Sequence, residues 1–133
     1  MQFEVKTTKR EDLVDISARV AEVVTAAGAV DGVVVVSSPH TTAGITINEN
    51  ADPDVARDIL TGLERLFPRQ GGWRHVEGNS DAHLKTAVVG SSVTIPIEGG
   101  QPALGTWQAV YLAEFDGPRT RRVTVTVLAA TSR

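Results

Sequence analysis

The sequence contains no cysteine, which removes disulfides and thiolate metal sites and suits a cytoplasmic protein. It has no long apolar run either. The longest purely aliphatic stretch, Val33-Val34-Val35-Val36, falls far short of the roughly 20 residues a membrane helix needs. Met1-Gln2-Phe3-Glu4 offers neither a basic nor an apolar leader segment, so no membrane association is expected. Like charges form no block, and a net charge of −3 supplies no basic stripe to neutralise phosphates. Generic nucleic-acid binding is therefore not expected. No internal repeat, linker or low-complexity stretch divides the 133 residues. With 41% hydrophobic and 22% charged residues, they read as one globular domain, 1–133.

Periodicity gives a coarse outline. Gln2 to Lys6 alternates as a strand. Ile16, Val20, Val23, Val24 and Ala27 recur at helical spacing from Asp15 to Ala27, and Gly28 is a good stop. Val33–Ser37 and Thr42–Ile47 read as strands. Asp52-Pro53-Asp54 is a strong helix start, and Val55, Ile59, Leu63 and Leu66 continue on one face until Pro68. Asp81 is placed as the cap of a short helix ending at Gly90. Strands are predicted over Val93–Ile97, Thr106–Phe115 and Arg122–Leu128, with turns at Gly99-Gly100 and Asp116-Gly117-Pro118. Consecutive strands without strict βαβ alternation predict an α+β fold. It should have a largely antiparallel sheet or sandwich, two main helices and one short one.

What stands out chemically is the histidines. His40 lies in Pro39-His40-Thr41-Thr42-Ala43-Gly44, which runs on into Asn48-Glu49-Asn50-Ala51-Asp52. His75 and His83 bracket Arg74-His75-Val76-Glu77-Gly78-Asn79-Ser80-Asp81-Ala82-His83. Both segments are polar and sit at element ends, where binding groups concentrate. Three imidazoles plus a water make an open tetrahedral metal site, so His40, His75 and His83 are candidate ligands of a divalent metal. Scattered, hydrogen-bonded histidines are the bland alternative, since no pair stands at the i, i+4 interval. Each histidine has a carboxylate or amide beside it that could orient it.

The neighbouring polar residues each carry two readings. Asn48 and Asn50 hold a substrate or merely precede the capped helix. Thr41 and Asn79 are candidate substrate contacts. Arg119, Arg121 and Arg122 are solvated charge at a strand start, or Arg119 turns inward to an anionic ligand. Trp107 belongs to core or interface, or stacks on a ligand. Glu114, at the end of an apolar strand, needs a partner, and Arg119 across the turn is the expected one.

These segments together resemble the YjbQ-like family of small bacterial and archaeal proteins. The similarity runs over nearly the whole chain. It rests on Pro39–Ala43, Thr46–Pro53, His75 through His83, Leu104-Gly105-Thr106-Trp107-Gln108 and Glu114–Arg119. The resemblance implies a β-rich α+β fold, a homotrimer, and a site where His40, His75 and His83 can hold a metal. It also implies an association with thiamine phosphate synthase activity, usually treated as secondary, which joins a pyrimidine methyl diphosphate to a thiazole phosphate and expels pyrophosphate. Two departures stand out: Trp73 occupies a position that is often Tyr, and Gln101-Pro102 replaces a frequent basic-apolar pair. A basic substrate contact at the second position is not carried over.

Diphosphate displacement generally uses magnesium held by carboxylates, whereas three imidazoles suit zinc, and a zinc-bound water points to hydrolysis. The expectation is thus a cytoplasmic enzyme acting on a small phosphorylated substrate, in first place synthase-like. Glu49 or Asp81 is the candidate proton acceptor. The alternatives are a metal-dependent hydrolase of a small phosphorylated substrate and a non-enzymatic trimeric ligand-binding protein.

Overall fold

β1 (Gln2–Lys6) lies at one edge of a five-stranded sheet and pairs antiparallel with the last strand of the chain, β8 (Thr120–Ala129). The structure is a computed structural model describing residues 1–131. Next to β8 runs β3 (Gly32–Ser37), whose β-branched run GVVVV suits a central strand. β5 (Ser92–Glu98) and the two-residue β6 (Gln101–Pro102) follow, so the order is β1-β8-β3-β5-β6. A second, three-stranded antiparallel sheet has the order β2-β7-β4, from β2 (Asp12–Asp15), β7 (Gln108–Glu114) and β4 (Ala43–Glu49). The fold is α+β with two antiparallel sheets and three helices.

Period-two alternation fills the space between the sheets. Val34 and Val36 of β3, Val123 and Val125 of β8, and Ile95 and Ile97 of β5 are buried. They share one core with Val110 and Leu112 of β7 and with Val20 and Val24 of α1 (Ser17–Ala27). Gly28 ends α1 at φ 72°, a left-handed conformation that favours glycine. β7 is buried on its other face too. There Ala113 and the following Phe115 pack with Ala82, Leu60, Leu63 and Val89, from two helices laid over the three-stranded sheet. These are α2 (Pro53–Leu66) and α3 (Ser80–Val89). Asp52 caps α2 by accepting the Asp54 amide at 2.9 Å, with Pro53 at the first helical position. Among the described residues no helix is long and apolar enough to cross a membrane.

Four local expectations need correction. β2 is a strand where none is predicted; its four residues are too few for alternation to register. β4 runs two residues beyond Ile47, because β7 continues to pair with it as far as Gln108. The stretch Leu104–Trp107 precedes β7 as a turn, in which the Gln108 side chain accepts the Gly105 amide at 2.8 Å. Gly99-Gly100 joins β5 to β6 rather than to β7, which belongs to the other sheet.

Candidate functional site

The site is organised by α3. Contrary to the expected cap, Asp81 lies inside the first turn of this helix. Asn79 is the residue at the cap position, and its side chain bonds elsewhere. Asp81 and Lys85 stand one turn apart on the inner face, both 0% exposed. The Lys85 Nζ donates to Asp81 at 3.0 Å, to Glu11 at 2.8 Å and to Glu64 at 2.7 Å. Arg10 forks onto both oxygens of Asp81 at 3.1 and 3.3 Å. Burial alone would lower the Lys85 pKa, but the three carboxylates outweigh it and raise it. Burial would likewise raise Asp81, yet Arg10 and Lys85 hold it below the usual carboxylate value.

Glu11, Glu64 and Asp81 bring oxygens within 4.8 Å of one another, a donor set that could hold a metal ion. The cation at its centre in this chain is the Lys85 ammonium. Asp81, a proton-acceptor candidate on sequence grounds, has both oxygens engaged. The i, i+4 spacing of Asp81 and Lys85 was the available sequence signal for this network.

A second buried pair shapes the neighbouring turn. Arg121 lies on the core side of β8 with Val123 and Val125, and its Nε reaches Glu114 at 2.8 Å. Arg121, and not Arg119, is therefore the partner of Glu114; two-residue alternation points it inward. Thr7 Oγ1 adds a 2.8 Å bond to the same carboxylate, and Arg121 also donates to Thr42 Oγ1 at 2.9 Å. Burial pushes the Glu114 pKa up, but Arg121 and Thr7 more than reverse this. The turn after β7 is thereby tied to the Thr41-Thr42 loop. Arg119 instead folds onto Asp116, with 2.8 Å to its carbonyl and 3.0 Å to Oδ2.

Between these two tied regions opens a polar pocket of about 380 Å³, lined among others by His40, Thr41, Glu77, Asn79, His83, Asp116 and Arg119. Of the ten residues expected to bind metal or substrate or to take a proton, five meet here: His40, Thr41, Asn79, His83 and Arg119. Glu77 and Asp116 were not singled out, although Asp116 stands three residues from Arg119. Asn79 Nδ2 donates to Asp116 at 2.9 Å, while its Oδ1 is buried without a partner among the described residues. His40 Nε2 accepts the Arg122 amide at 2.8 Å. Burial and the charge of Arg121 lower the His40 pKa, which keeps it neutral at pH 7.

His75 stands beside His83, rings edge to face at 5.6 Å, and its Nδ1 lies 2.9 Å from Ser80 Oγ. The three histidines flank one region, but their ring nitrogens are not among the described groups whose donors converge within 4.8 Å. Because His40 uses the Nε2 lone pair and is neutral, its proton sits on Nδ1. As arranged, His40 is engaged by the Arg122 amide and His75 stands beside Ser80.

Asn48, Glu49 and Asn50 lie elsewhere. β4 starts opposite Glu114, beside the pocket, and ends with Glu49 opposite Gln108. Six strand steps put Glu49 roughly 20 Å from that end. There Tyr111 donates to the Glu49 carbonyl at 2.9 Å, and Asn50 donates to Asp15 at 3.2 Å. Trp107, at the same end, is 63% exposed and not part of the core.

A protein-family model described as UPF0047 protein YjbQ-like matches residues 1–130. UPF0047 protein MJ1081 of Methanocaldococcus jannaschii is 50% identical over 96% of this chain and 92% of its own. YugU of Bacillus subtilis is 48% identical over 90% of this chain and 91% of its own. A Clostridium acetobutylicum crystal structure, described as an uncharacterised conserved protein of the YjbQ/UPF0047 family, superposes with a TM-score of 0.95. It is 52% identical and covers 96% of this chain and 99% of its own. The hypothetical protein APE1520 of Aeropyrum pernix superposes at 0.93 with 39% identity, over 98% of both chains.

Proposed function

The chain belongs to the UPF0047, YjbQ-like family, and from that premise we propose that it is an enzyme whose polar pocket beside α3 takes a small phosphorylated substrate. One observation carries this reading: three separate chain segments deliver His40 and Thr41, Asn79 and His83, and Arg119 to one cavity. Its size falls in the range of small-molecule sites.

Each residue has a role its contacts allow. Arg119 bonds Asp116 through Nε and one terminal nitrogen, leaving the other for a phosphoryl oxygen. The neutral His40, fixed by the Arg122 amide, presents Nδ1–H as a donor. His83 is exposed, and its ring hydrogen-bonds no described residue. It is the group free to give or take a proton during phosphate-ester or diphosphate cleavage.

Group transfer of the thiamine phosphate synthase kind, with pyrophosphate leaving, is the named reaction we attach to the pocket. Hydrolysis of the same bond, with water as the nucleophile, is the alternative. A divalent metal joins either reading only if His40 releases the Arg122 amide. His40, His75 and His83 would then be the ligands, zinc the match for imidazole and magnesium for oxygen donors. We further propose a homotrimer. No residue of α2 is fully buried within one chain, so a neighbouring copy has an incompletely covered helix to pack on.

The test is calorimetric titration with pyrophosphate, run alongside metal analysis and a turnover assay with the two synthase substrates. Arg119→Ala should weaken pyrophosphate binding by about tenfold, the worth of a charge-assisted hydrogen bond, with the fold unchanged. Binding that ignores Arg119→Ala would refute the pocket assignment.

A further inference from the structure

A second cavity of about 360 Å³ adjoins the polar pocket, and its walls are mostly apolar: Trp73, Arg74, His75, Ser80, His83 and Leu84. His83 belongs to both cavities, so one molecule can occupy the two at once by passing its ring.

Trp73 is held in place from two directions. Its Nε1 donates to the Pro68 carbonyl at 3.0 Å. Its indole lies against Gly71, where any Cβ would overlap Cε2 and Cζ2. A glycine at this point makes room for the ring. Trp73 is 37% exposed although its side-chain N–H is satisfied, and the surface it turns to the cavity is apolar. His75 is fixed by Ser80, and His83 meets it edge to face. Three aromatic rings therefore bound the cavity, with Leu84 completing the wall. Such a box accepts either a flat ring or an organic cation. Arg74 in the lining opposes the cation.

The geometry points to Trp73 as a specificity-determining platform. It stacks a flat, uncharged aromatic ring of the substrate while the phosphoryl end of the same molecule lies beyond His83 at Arg119. This rests on the phosphate reading of the polar pocket and adds the other half of the substrate.

The experiment compares phenyl phosphate with methyl phosphate as probes. A Trp107→Phe background makes Trp73 the sole tryptophan; Trp107 is exposed at the far end of β4 and β7. Phenyl phosphate should quench Trp73 emission saturably and bind about tenfold more tightly than methyl phosphate, equivalent to stacking worth near 1.4 kcal/mol. By calorimetry, Trp73→Leu should bring the ratio close to one, and Trp73→Phe should retain most of it. Equal binding of the two probes, or a preference that survives Trp73→Leu, would overturn the platform. Phenol separates this claim from the one beneath it. Quenching by phenol without methyl phosphate binding keeps the platform and removes the phosphate reading. Methyl phosphate binding with no response to either phenyl probe does the reverse.

Discussion

The inner and outer faces of α3 carry similar residue types and do opposite work. Inward, Asp81 and Lys85 are fully buried and ion-paired, Asp81 with Arg10 and Lys85, and Lys85 also with Glu11 and Glu64. Outward, His83 is exposed between two cavities and the preceding Asn79 keeps an unfilled acceptor. A charged cluster whose ions already face one another holds elements together and leaves no cation-binding carboxylate free for a ligand. A cluster with open valences beside a cavity can bind one. Had acidity alone been the guide, the Glu11, Glu64 and Asp81 set would be taken for the working site.

The sharpest way to break the contrast is to mutate one residue on each face. Lys85→Met should lower the free energy of unfolding by about 3–5 kcal/mol, because three carboxylates lose their buried counter-ion. Calcium should then recover part of that loss in the variant and none in the wild type, since the oxygens alone would face a cation. His83→Gln should leave stability within about 0.5 kcal/mol yet reduce turnover roughly 10²–10⁴-fold. Urea denaturation and a rate assay on the same two proteins decide it.

A smaller effect is expected from pH. His40 has a depressed pKa, so its stabilising neutral form is fully present above the ordinary histidine value of about 6.5. It is lost as pH falls through the lower folded value. The wild type should therefore lose stability between neutral and mildly acidic pH, a step that His40→Asn should not show. Further down, Asp81 and Glu114 titrate below their ordinary range, and both proteins should lose that support alike.

Least of all should follow from Glu49→Gln. At the far end of β4 it should change stability within about 0.5 kcal/mol and leave pyrophosphate affinity as it was. A lost rate with intact binding would mean that the pocket is completed by Glu49 of a second copy.

Much of the fold was legible because it follows local rules. The Asp52-Pro53 helix start, the Gly28 stop and the alternation of Gln2–Lys6 and of the chain's last strand all appear where residue pattern alone puts them. The four-residue β2 and the two-residue β6 exist only through tertiary pairing, which no local pattern records. Half of the candidate site was legible too. The polar loop ends at His40, Asn79, His83 and Arg119 converge, while Asn48, Glu49 and Asn50, close to His40 in sequence, are carried away along a straight strand. Sequence proximity across a strand is distance in space. Of the Lys85 network only the Asp81–Lys85 spacing was legible: Glu11 and Glu64 approach Lys85 only after α2 and the segment between β1 and β2 fold over α3.

A phosphorylated ligand should bind in the pocket beside α3, and side-chain NMR of the histidines and Asn79 during pyrophosphate titration reads that position directly. Saturable shifts at His40, His83 and Asn79, with Asn48 and Asn50 unmoved, are the predicted result. Shifts confined to the Asn48–Asn50 end, or no saturable shift at any of these groups, would contradict it.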